Sequence, residues 1–361
     1  MRVGVIGAGF AGLSTAIAMR QMGHSVTVFE RSDGPLTGGG AIALSPNGLA
    51  CLDALGVRDR VDTRDWAARS ATIRNRHGRI LVRSTLGQIA GGAEFAVVPR
   101  AELTRILAER LPGDCVQYSA AVTRATVDGY VEVDGAAQRF DLLVAADGAH
   151  SSVRASIWAD ARPMRTTGIT AWTWIVDRPV EELTDKPVDG YGAIWGSTAE
   201  FGVLPLHDGR TYVWGGARFG HADLSRYRDW PDPLPALIDA VDTDTLPSVQ
   251  LVESRPPRRL TRGRVVLIGD AAHAMRPTFG QGAALAMEDA LTLARAGSKQ
   301  LDRRRRRILK LYWGSRLGSF AALPRSVVAE PLRDLTFRMV PDALFGGVMA
   351  RASRWQPPVA C

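Results

Sequence analysis

Residues 263–289 read GRVVLIGDAAHAMRPTFGQGAALAMED and join a strand, an acidic turn, a glycine loop and a helix in one segment. Val265 to Ile268 have the length and β-branched content of a buried strand, which Gly269-Asp270 ends. A carboxylate at the tip of such a strand accepts hydrogen bonds from ligand hydroxyls. Gly280-Gln281-Gly282 then leads into a helix predicted from about Ala283 to Ala294. The N–H groups at the start of that helix, together with its dipole, favour an electron-rich ligand.

The amino terminus carries a second glycine motif, GxGxxG, within RVGVIGAGFAG at residues 2–12. Gly7 makes the tight turn, Gly9 lets a pyrophosphate approach the backbone, and Gly12 lets the next helix pack on the strand. That helix is predicted over residues 13–22, and a second strand over residues 25–29. Glu30 follows this strand, eighteen residues after Gly12. It stands close to where dinucleotide folds place the carboxylate that binds the adenosine ribose.

A third block, DLLVAADGAHSSVR at residues 141–154, is another apolar strand, which breaks at Asp147-Gly148. With the three blocks in this order, the chain resembles the FAD-dependent aromatic hydroxylases. These are the single-component flavoprotein monooxygenases typified by para-hydroxybenzoate hydroxylase. The resemblance implies an α/β fold with a Rossmann-like FAD-binding domain, an inserted α+β substrate domain built on an antiparallel sheet, and a helical C-terminal tail.

The resemblance also implies a site for non-covalent FAD. In the family, the acid of the GD motif holds the ribityl chain and the DG motif lies near the pyrophosphate. A proline and glycine loop lies beneath the isoalloxazine, one arginine contacts the FAD, and one backbone position meets the adenine. Carried over residue by residue, the predicted cofactor residues are Gly7, Gly9, Ala11, Gly12, Glu30, Arg31, Arg100, Val122, Asp147, Gly148, Asp270, Pro277, Gly280, Gln281, Gly282 and Ala283. Pro277 and Gly280 are expected to shape the flavin site, and no side chain is assigned a catalytic role.

The FAD-binding domain is predicted to be discontinuous, over residues 1–70, 98–162 and 258–298. Residues 71–97 and 163–257 are predicted to form the substrate domain, and residues 299–361 a helical tail. The first insertion holds a strand pair that turns at His77-Gly78, and a hairpin is expected at Asp208-Gly209 in the second. The second insertion contains four alternating runs, Thr167–Asp177, Asp189–Trp195, Glu200–Leu206 and Thr211–Phe219. The tail helices are expected over Leu301–Phe320 and Pro331–Arg354.

Aromatic side chains are concentrated in the second insertion. Strand side chains alternate with a period of two, so Trp172 and Trp174 share a face of their strand, as do Tyr212 and Trp214. One face of this sheet is predicted to cover an apolar pocket over the flavin, where a flat substrate stacks. The alternative is that these rings only pack the sheet onto the FAD domain. The candidate substrate residues are Trp172, Trp174, Tyr212, Trp214, Arg218 and Phe279, with Arg218 either meeting an anionic substrate or lying at the surface.

The composition is typical of a globular protein, with 46% hydrophobic and 23% charged residues. Cys51, Cys115 and Cys361 fit no CxxC pattern, which indicates a reduced, cytoplasmic protein without a disulfide framework or a metal site. No run reaches the roughly 18 apolar residues of a membrane span. Five units of the net charge of +8 come from Arg303–Arg307, interpreted as a solvated connector, so no nucleic-acid partner is expected. The alternative is that the run contacts an anionic membrane surface or an acidic partner. The chain is predicted to be a monomer or a homodimer.

The resemblance implies an FAD-dependent monooxygenase that uses NAD(P)H and O2 to hydroxylate an aromatic or enolic small molecule through a flavin hydroperoxide. No second GxGxxG is present for the nicotinamide, which is expected to bind transiently, and NADH versus NADPH stays open. One alternative is a flavin-dependent halogenase or another FAD oxidoreductase of the same fold, although no lysine is an evident candidate for halogenation. Lys186 falls in a predicted loop, and Lys299 and Lys310 in the tail. The other alternative is a non-catalytic FAD-binding protein.

Overall fold

The computed structural model describes residues 1–63, 67–91, 94–184, 191–324, 326 and 328–359. The strands in these ranges are β1 (Arg2–Ile6), β2 (Ser25–Phe29), β3 (Ala41–Leu44), β4 (Ser70–Asn75), β5 (Ile80–Thr85), β6 (Ala96–Pro99), β7 (Val116–Gln117), β8 (Val122–Ala125), β9 (Tyr130–Val133), β10 (Ala136–Arg139), β11 (Leu142–Ala145), β12 (Arg165–Val176), β13 (Tyr191–Trp195), β14 (Ala199–Pro205), β15 (Thr211–Arg218), β16 (Ser248–Glu253), β17 (Thr261–Arg262) and β18 (Val265–Leu267). The α-helices are α1 (Phe10–Gln21), α2 (Pro46–Leu55), α3 (Leu86–Ala90), α4 (Arg100–Ala108), α5 (Ser152–Ile157), α6 (Leu234–Asp239), α7 (Asp270–His273), α8 (Gly282–Ala322), α9 (Ala329–Met339) and α10 (Asp342–Ser353).

A six-stranded sheet contains the three blocks that the sequence picks out. Its strand order is β17-β18-β11-β1-β2-β7, and every neighbouring pair is parallel except β17 with β18. The strands are almost wholly apolar because helices cover the sheet, and β1, β11 and β18 lie in the largest hydrophobic core. The α/β class is therefore confirmed. Helix α1 begins three residues before its predicted start, directly after the GxG turn.

A seven-stranded sheet, ordered β16-β12-β15-β14-β13-β4-β5, contains the four predicted runs of the second insertion and the strand pair of the first. Its neighbours are antiparallel except β13 and β4, which run parallel. The turn at Asp208-Gly209 joins β14 to β15 as predicted, with Gly209 at φ +90°. One predicted run, Asp189–Trp195, is a strand from Tyr191 onward, and its first two residues lie outside the described part of the chain.

The C-terminal helices differ from the prediction in two ways. Helix α8 continues from the glycine loop to Ala322, with a kink at Gly297, where φ is 75° and ψ is 175°. The predicted helix over Pro331–Arg354 is two helices, α9 and α10. They are separated at Val340-Pro341, because proline favours an extended conformation in the residue before it. In the described residues, no helix is long and apolar enough to cross a membrane.

The interpretation of Arg303–Arg307 as a solvated connector is wrong. The run lies inside α8, and Arg304 is buried with 7% of its surface exposed. Its guanidinium donates to Asp289 at 2.9 Å and to Glu288 at 2.8 Å, and Arg307 donates to both oxygens of Glu288. Arg303 and Arg306 remain exposed. Two of the five arginines therefore neutralise acids in the core, and the run supplies less surface charge than its letters suggest.

The free cysteines Cys51 and Cys115 are both buried. Burial is the main cause that raises the pKa of each thiol, which keeps it protonated and unreactive at neutral pH. Cys361 and the predicted loop position of Lys186 lie outside the described residues.

Candidate cofactor and substrate site

The three sequence blocks meet at one edge of the six-stranded sheet. Strands β1, β2, β11 and β18 run parallel, so the residues that follow them lie together at their carboxyl ends. Those residues are Gly7, Glu30, Asp147 with Gly148, and Gly269 with Asp270. The carboxyl ends of an open parallel sheet are where such folds bind ligands.

Each glycine of the first motif is required for a different structural reason. Gly7 turns with φ +98°, a conformation that side chains rarely adopt. A Cβ atom on Gly12 would overlap the carbonyl oxygen of Gly7, so glycine alone lets α1 pack this close to β1. A Cβ on Gly9 would meet nothing within 4 Å. Gly9 therefore borders open space at the start of α1, where a pyrophosphate group fits beside backbone N–H groups.

The acids at this edge differ in what they bind within the chain. Glu30 accepts hydrogen bonds from the backbone N–H of Ala8 at 2.7 Å and of Ser32 at 2.9 Å. Asp147 accepts from the N–H of Val153 through one oxygen. Its other oxygen is buried and has no partner among the described residues, which leaves it available to a ligand hydroxyl. Asp270 is exposed at the first turn of α7.

The second glycine loop forms the start of α8. Pro277 and Gly280 are exposed, Gly280 turns with φ +61°, and a Cβ on Gly280 or Gly282 would meet open space. The side chain of Gln281 points inward, where it accepts from Asn47 at 2.8 Å and donates to Ser45 at 3.3 Å. The loop is thus fixed from behind. Its N–H groups lie at the start of α8, where Gly280 and Gly282 border open space.

The remaining predicted cofactor residues surround this edge. Arg100 donates its backbone N–H to Gly40, and its guanidinium carbon lies 5.9 Å from the ring centre of Phe10. Ala11 is buried in α1, where its Cβ is the nearest atom to any side chain placed on Gly269. Arg31 is exposed, Val122 begins β8, and Ala283 lies in the first turn of α8.

One face of the seven-stranded sheet approaches the FAD domain. The register pairs Thr173 with Trp214 and Trp214 with Gly202, so these residues share a face, and Tyr212 lies on it two positions along β15. A Cβ on Gly40 would touch both Thr173 and the Tyr212 ring, so the loop before β3 lies directly on this face. Tyr212 and Trp214 lie next to each other, with ring centres 5.9 Å apart. We call this surface the inner face.

Trp172 and Trp174, two of the predicted substrate residues, lie on the side of the sheet opposite the inner face. They pair with Gly215 and Val213, so they alternate with Trp214 to the opposite side of the sheet. There both indoles are buried, and the Trp174 N–H donates to the backbone carbonyl of Leu237 at 3.2 Å. The tryptophans of β12 pack against the helical layer behind the sheet.

Arg218 and Phe279 also have structural contacts. The Arg218 guanidinium donates to the backbone carbonyls of Ser197 and Leu323, so it joins β15 to the end of α8 and is neither a bare surface group nor directed at an open pocket. The Phe279 ring packs on Gly314 of α8 and on the cluster around Leu285. The prediction that these two side chains bind substrate is not supported by their contacts.

A buried polar network that the sequence did not predict lies behind the second glycine loop, residues 277–282, which we call the flavin loop. Asn47 donates to Glu288 at 2.7 Å, and His273 lies 2.6 Å from Asp289. Burial raises the pKa of Asp289, but the charges of His273 and Arg304 outweigh it and hold that pKa below its ordinary value. The sequence signal for this network was the pair of adjacent acids, Glu288 and Asp289, on an otherwise apolar helix, with arginines about four turns later.

A second missed pair lies just before Pro277. Arg276 is buried and donates to Glu253 at 3.0 Å and to Ser319 at 3.1 Å, while Arg316 donates to the other oxygen of Glu253. The ion pair fixes the backbone that leads into the flavin loop.

The parallel sheet and the glycine turn at its carboxyl edge define a dinucleotide-binding fold. Residues 1–323 match the family described as FAD binding domain. The chain is 34% identical over 311 residues to the FAD-dependent urate hydroxylase of Klebsiella pneumoniae, covering 81% of this chain and 80% of that protein. It is 31% identical over 314 residues to the aurachin C monooxygenase/isomerase of Stigmatella aurantiaca, covering 82% and 81%. The crystal structure of Klebsiella pneumoniae HpxO complexed with FAD and uric acid superposes with a TM-score of 0.86 at 29% identity, over 98% of this chain and 96% of that one.

The chain belongs to the FAD-dependent aromatic hydroxylase family and is an FAD-dependent monooxygenase. The recognition made from the three blocks is thereby confirmed. The named relatives are hydroxylases and monooxygenases, which favours hydroxylation over the halogenase and the non-catalytic alternatives.

Proposed function

We propose that FAD lies along the carboxyl edge of the six-stranded sheet, held by the residues carried over from the family motifs. Glu30 and Asp147 are placed to accept hydrogen bonds from hydroxyl groups of the cofactor, and Asp270 to hold the ribityl chain. The open space at Gly9, Gly280 and Gly282 supports this assignment, because each would otherwise have a side chain projecting into the cofactor. The division into residues 1–70, 98–162 and 258–298 for FAD, 71–97 and 163–257 for substrate, and 299–361 as tail is part of the proposal.

We also propose that the substrate is a flat aromatic or heteroaromatic molecule, hydroxylated with NAD(P)H and O2 by a cytoplasmic enzyme. The observation that carries this is the inner face. Trp214 lies over Gly202, where any Cβ would overlap the indole, so the ring lies flat along the sheet. Its neighbour Tyr212 extends the same aromatic surface toward Gly40. A flat ring stacks well on such a surface.

The residues of the chain position the substrate, exclude water and place favourable charge near the cofactor. When bound, FAD supplies the hydride acceptance and the oxygen activation that no side chain provides. The start of α8 presents N–H groups that stabilise negative charge on the ring system, since they are fixed before reaction. Tyr212 and Trp214 present apolar ring surface that keeps water away from a substrate stacked on the inner face. A dry site favours transfer to the substrate over the loss of reducing power as peroxide.

The experiment is a screen for substrate-stimulated oxidation of NADH and NADPH by the FAD-loaded protein. The compounds are phenols, hydroxypyridines, quinolones, aminohydroxybenzoates and purines, and each hit is checked for a hydroxylated product. Uric acid is included because a relative is a urate hydroxylase. The proposal expects at least one aromatic compound to accelerate oxidation of one nicotinamide. If none does, or if only halide alters the product, the proposal is wrong.

A matched pair of variants tests the inner face directly. Gly202→Ala should displace the Trp214 indole and raise the KM of the active compound, because the new Cβ occupies the space of that ring. Gly113→Ala is the control, since its Cβ meets nothing within 4 Å. Equal kinetics in both variants would place the substrate elsewhere.

A further inference from the structure

The inner face carries the carboxyl group of Glu200 close to the Trp214 indole. The register aligns Ala171 of β12, Gly216 of β15 and Glu200 of β14 in one row across three strands. The next row is Thr173, Trp214 and Gly202. Glu200 therefore lies one row from the Trp214 indole, in a row whose other members, Ala171 and Gly216, are small.

The Glu200 carboxyl lies beside Gly216. An ideal Cβ on Gly216 would be 3.8 Å from the Cγ and Oε1 atoms of Glu200 and 3.3 Å from the Cγ2 atom of Ile169, so Glu200 and Ile169 flank this glycine. No hydrogen-bond donor to the Glu200 carboxyl is found among the described residues. Burying an ionised carboxyl without a hydrogen-bond partner destabilises the fold unless the carboxyl is protonated or binds a ligand. The placement of Glu200 therefore indicates a functional role.

The charged groups around Glu200 are mainly arginines. The positive charge of Arg276 acts on Glu200. The Arg276 guanidinium is itself paired with Glu253, which Arg316 also binds. Arg218 follows Gly216 on the same face, and Arg333 lies over the ring of Trp195, which pairs with Glu200. Burial raises the pKa of Glu200 to about 7, although the charge of Arg276 acts in the opposite direction. A base is most effective when its pKa lies near the working pH.

We propose that Glu200 is the general base of the substrate pocket and removes a proton from an acidic O–H or N–H group of the aromatic substrate. The bond from that oxygen or nitrogen to hydrogen breaks and its electron pair stays on the substrate, while the proton bonds to a Glu200 oxygen. The substrate anion is more electron-rich at its ring carbons, which favours attack on an electrophilic oxygen. The Glu200 acid returns the proton to water. This inference rests on the proposed hydroxylation and names the substrate class as an ionisable phenol or N-heterocycle.

The first test measures Glu200 without any substrate. Carbon-13 NMR of the FAD-loaded protein, labelled at its glutamate carboxyls, is followed against pH, and Glu200→Gln identifies the signal by its loss. The expected result is a titration near 7 for Glu200. Exposed Glu182, assigned with Glu182→Gln, is the internal comparison. Titration of Glu200 at the ordinary glutamate value overturns the proposal.

The second test uses the compound that the nicotinamide screen identifies. Glu200→Gln should lower kcat/KM for that compound by about 100-fold or more and remove the acidic limb of its pH profile, where protonation of the base lowers the rate, as loss of a general base does. Glu200→Asp should keep the limb with a smaller loss, and Glu182→Gln should match the wild type. Equal FAD content and thermal unfolding in the variants show that each is folded.

The outcomes separate the two proposals. If a compound stimulates oxidation and Glu200→Gln leaves its pH profile unchanged, the assignment of Glu200 fails and the hydroxylase function stands. If no compound stimulates oxidation, both fail.

Discussion

Replacing Arg304 by methionine should destabilise the folded protein far more than replacing its neighbour Arg303. Arg304 is buried and bridges Glu288 and Asp289, whereas Arg303 is exposed and its guanidinium donates to the Gln300 amide oxygen at 3.3 Å. Both changes remove one charge from the same run of α8 and keep a long side chain. The pair therefore isolates the effect of burial from the effect of net charge.

The magnitude follows from what the two acids keep. Breaking a buried ion pair by removing one partner costs about 3–5 kcal/mol. Glu288 retains two hydrogen bonds from Arg307, and Asp289 retains His273, so we expect the lower end, about 3 kcal/mol. Unfolding entropy is roughly 2.1 cal/mol/K per residue, so over 361 residues this loss lowers Tm by about 4 °C. Arg303→Met should change stability by less than about 0.5 kcal/mol.

The assay is thermal and urea unfolding of the FAD-loaded variants side by side with the wild type. The flavin fluorescence of each sample also reports release of the cofactor, because the network fixes Gln281 of the flavin loop through Asn47. Equal Tm values for Arg304→Met and Arg303→Met would refute the reasoning, since they would show that the buried network contributes nothing that a solvated arginine does not.

Three further outcomes are expected. Asp270→Ala should weaken FAD binding by about 1–3 kcal/mol through lost hydrogen bonds, measured by fluorescence titration of apoprotein, and wild-type affinity would remove Asp270 from the site. Trp214→Phe should raise the peroxide released per nicotinamide consumed while Trp172→Phe does not, because only Trp214 lies on the inner face, and equal coupling in both would contradict that placement. Burial raises the pKa of Glu200 from 4.5 to about 7, so the folded protein binds this proton more tightly than the unfolded chain does. The stabilisation from that proton is fully present below pH 4.5 and is lost as the pH rises through about 7. Glu200→Gln should therefore gain about 1–3 kcal/mol over wild type at about pH 8 relative to about pH 5, and a constant difference in urea unfolding would count against the raised pKa.

The cofactor edge was predictable from sequence because its determinants are local. A strand, a turn and a helix follow one another within a few residues, and Gly7 and Gly12 are required by contacts inside that unit. The parallel order of the strands then brings the separate blocks to one edge without further information. The hairpin at Asp208-Gly209 was local in the same way.

The faces of the inserted sheet were not predictable, because they depend on pairing between strands. A period of two shows that Trp172 and Trp174 lie on the same side, but it does not show how β12 aligns with β15. The register sets Trp172 opposite Gly215, one residue from Trp214, and this sends the two tryptophans of β12 behind the sheet. The same register places Glu200 one row from Trp214 on the inner face, which no motif marks.

The arginine run was misjudged for a different reason. A run of five like residues suggests a solvated face, yet Leu301, Arg304, Ile308 and Leu311 recur with helical spacing and are all buried. Arg304 occupies a position on the buried face of α8 that is otherwise apolar. Its charge is tolerated there because it pairs with Glu288 and Asp289, which precede the kink in the same helix. Which acids an arginine meets is decided by how α8 folds back past Gly297, and a single sequence does not show that.

The most direct test of the account is the fate of molecular oxygen. With the active compound from the screen, turnover under isotopically labelled O2 should place one labelled atom in the product for each nicotinamide consumed, as mass spectrometry of the product reports. Label found only in water or peroxide, with a product that carries none, would show that the protein is an oxidase or a reductase and not a hydroxylase.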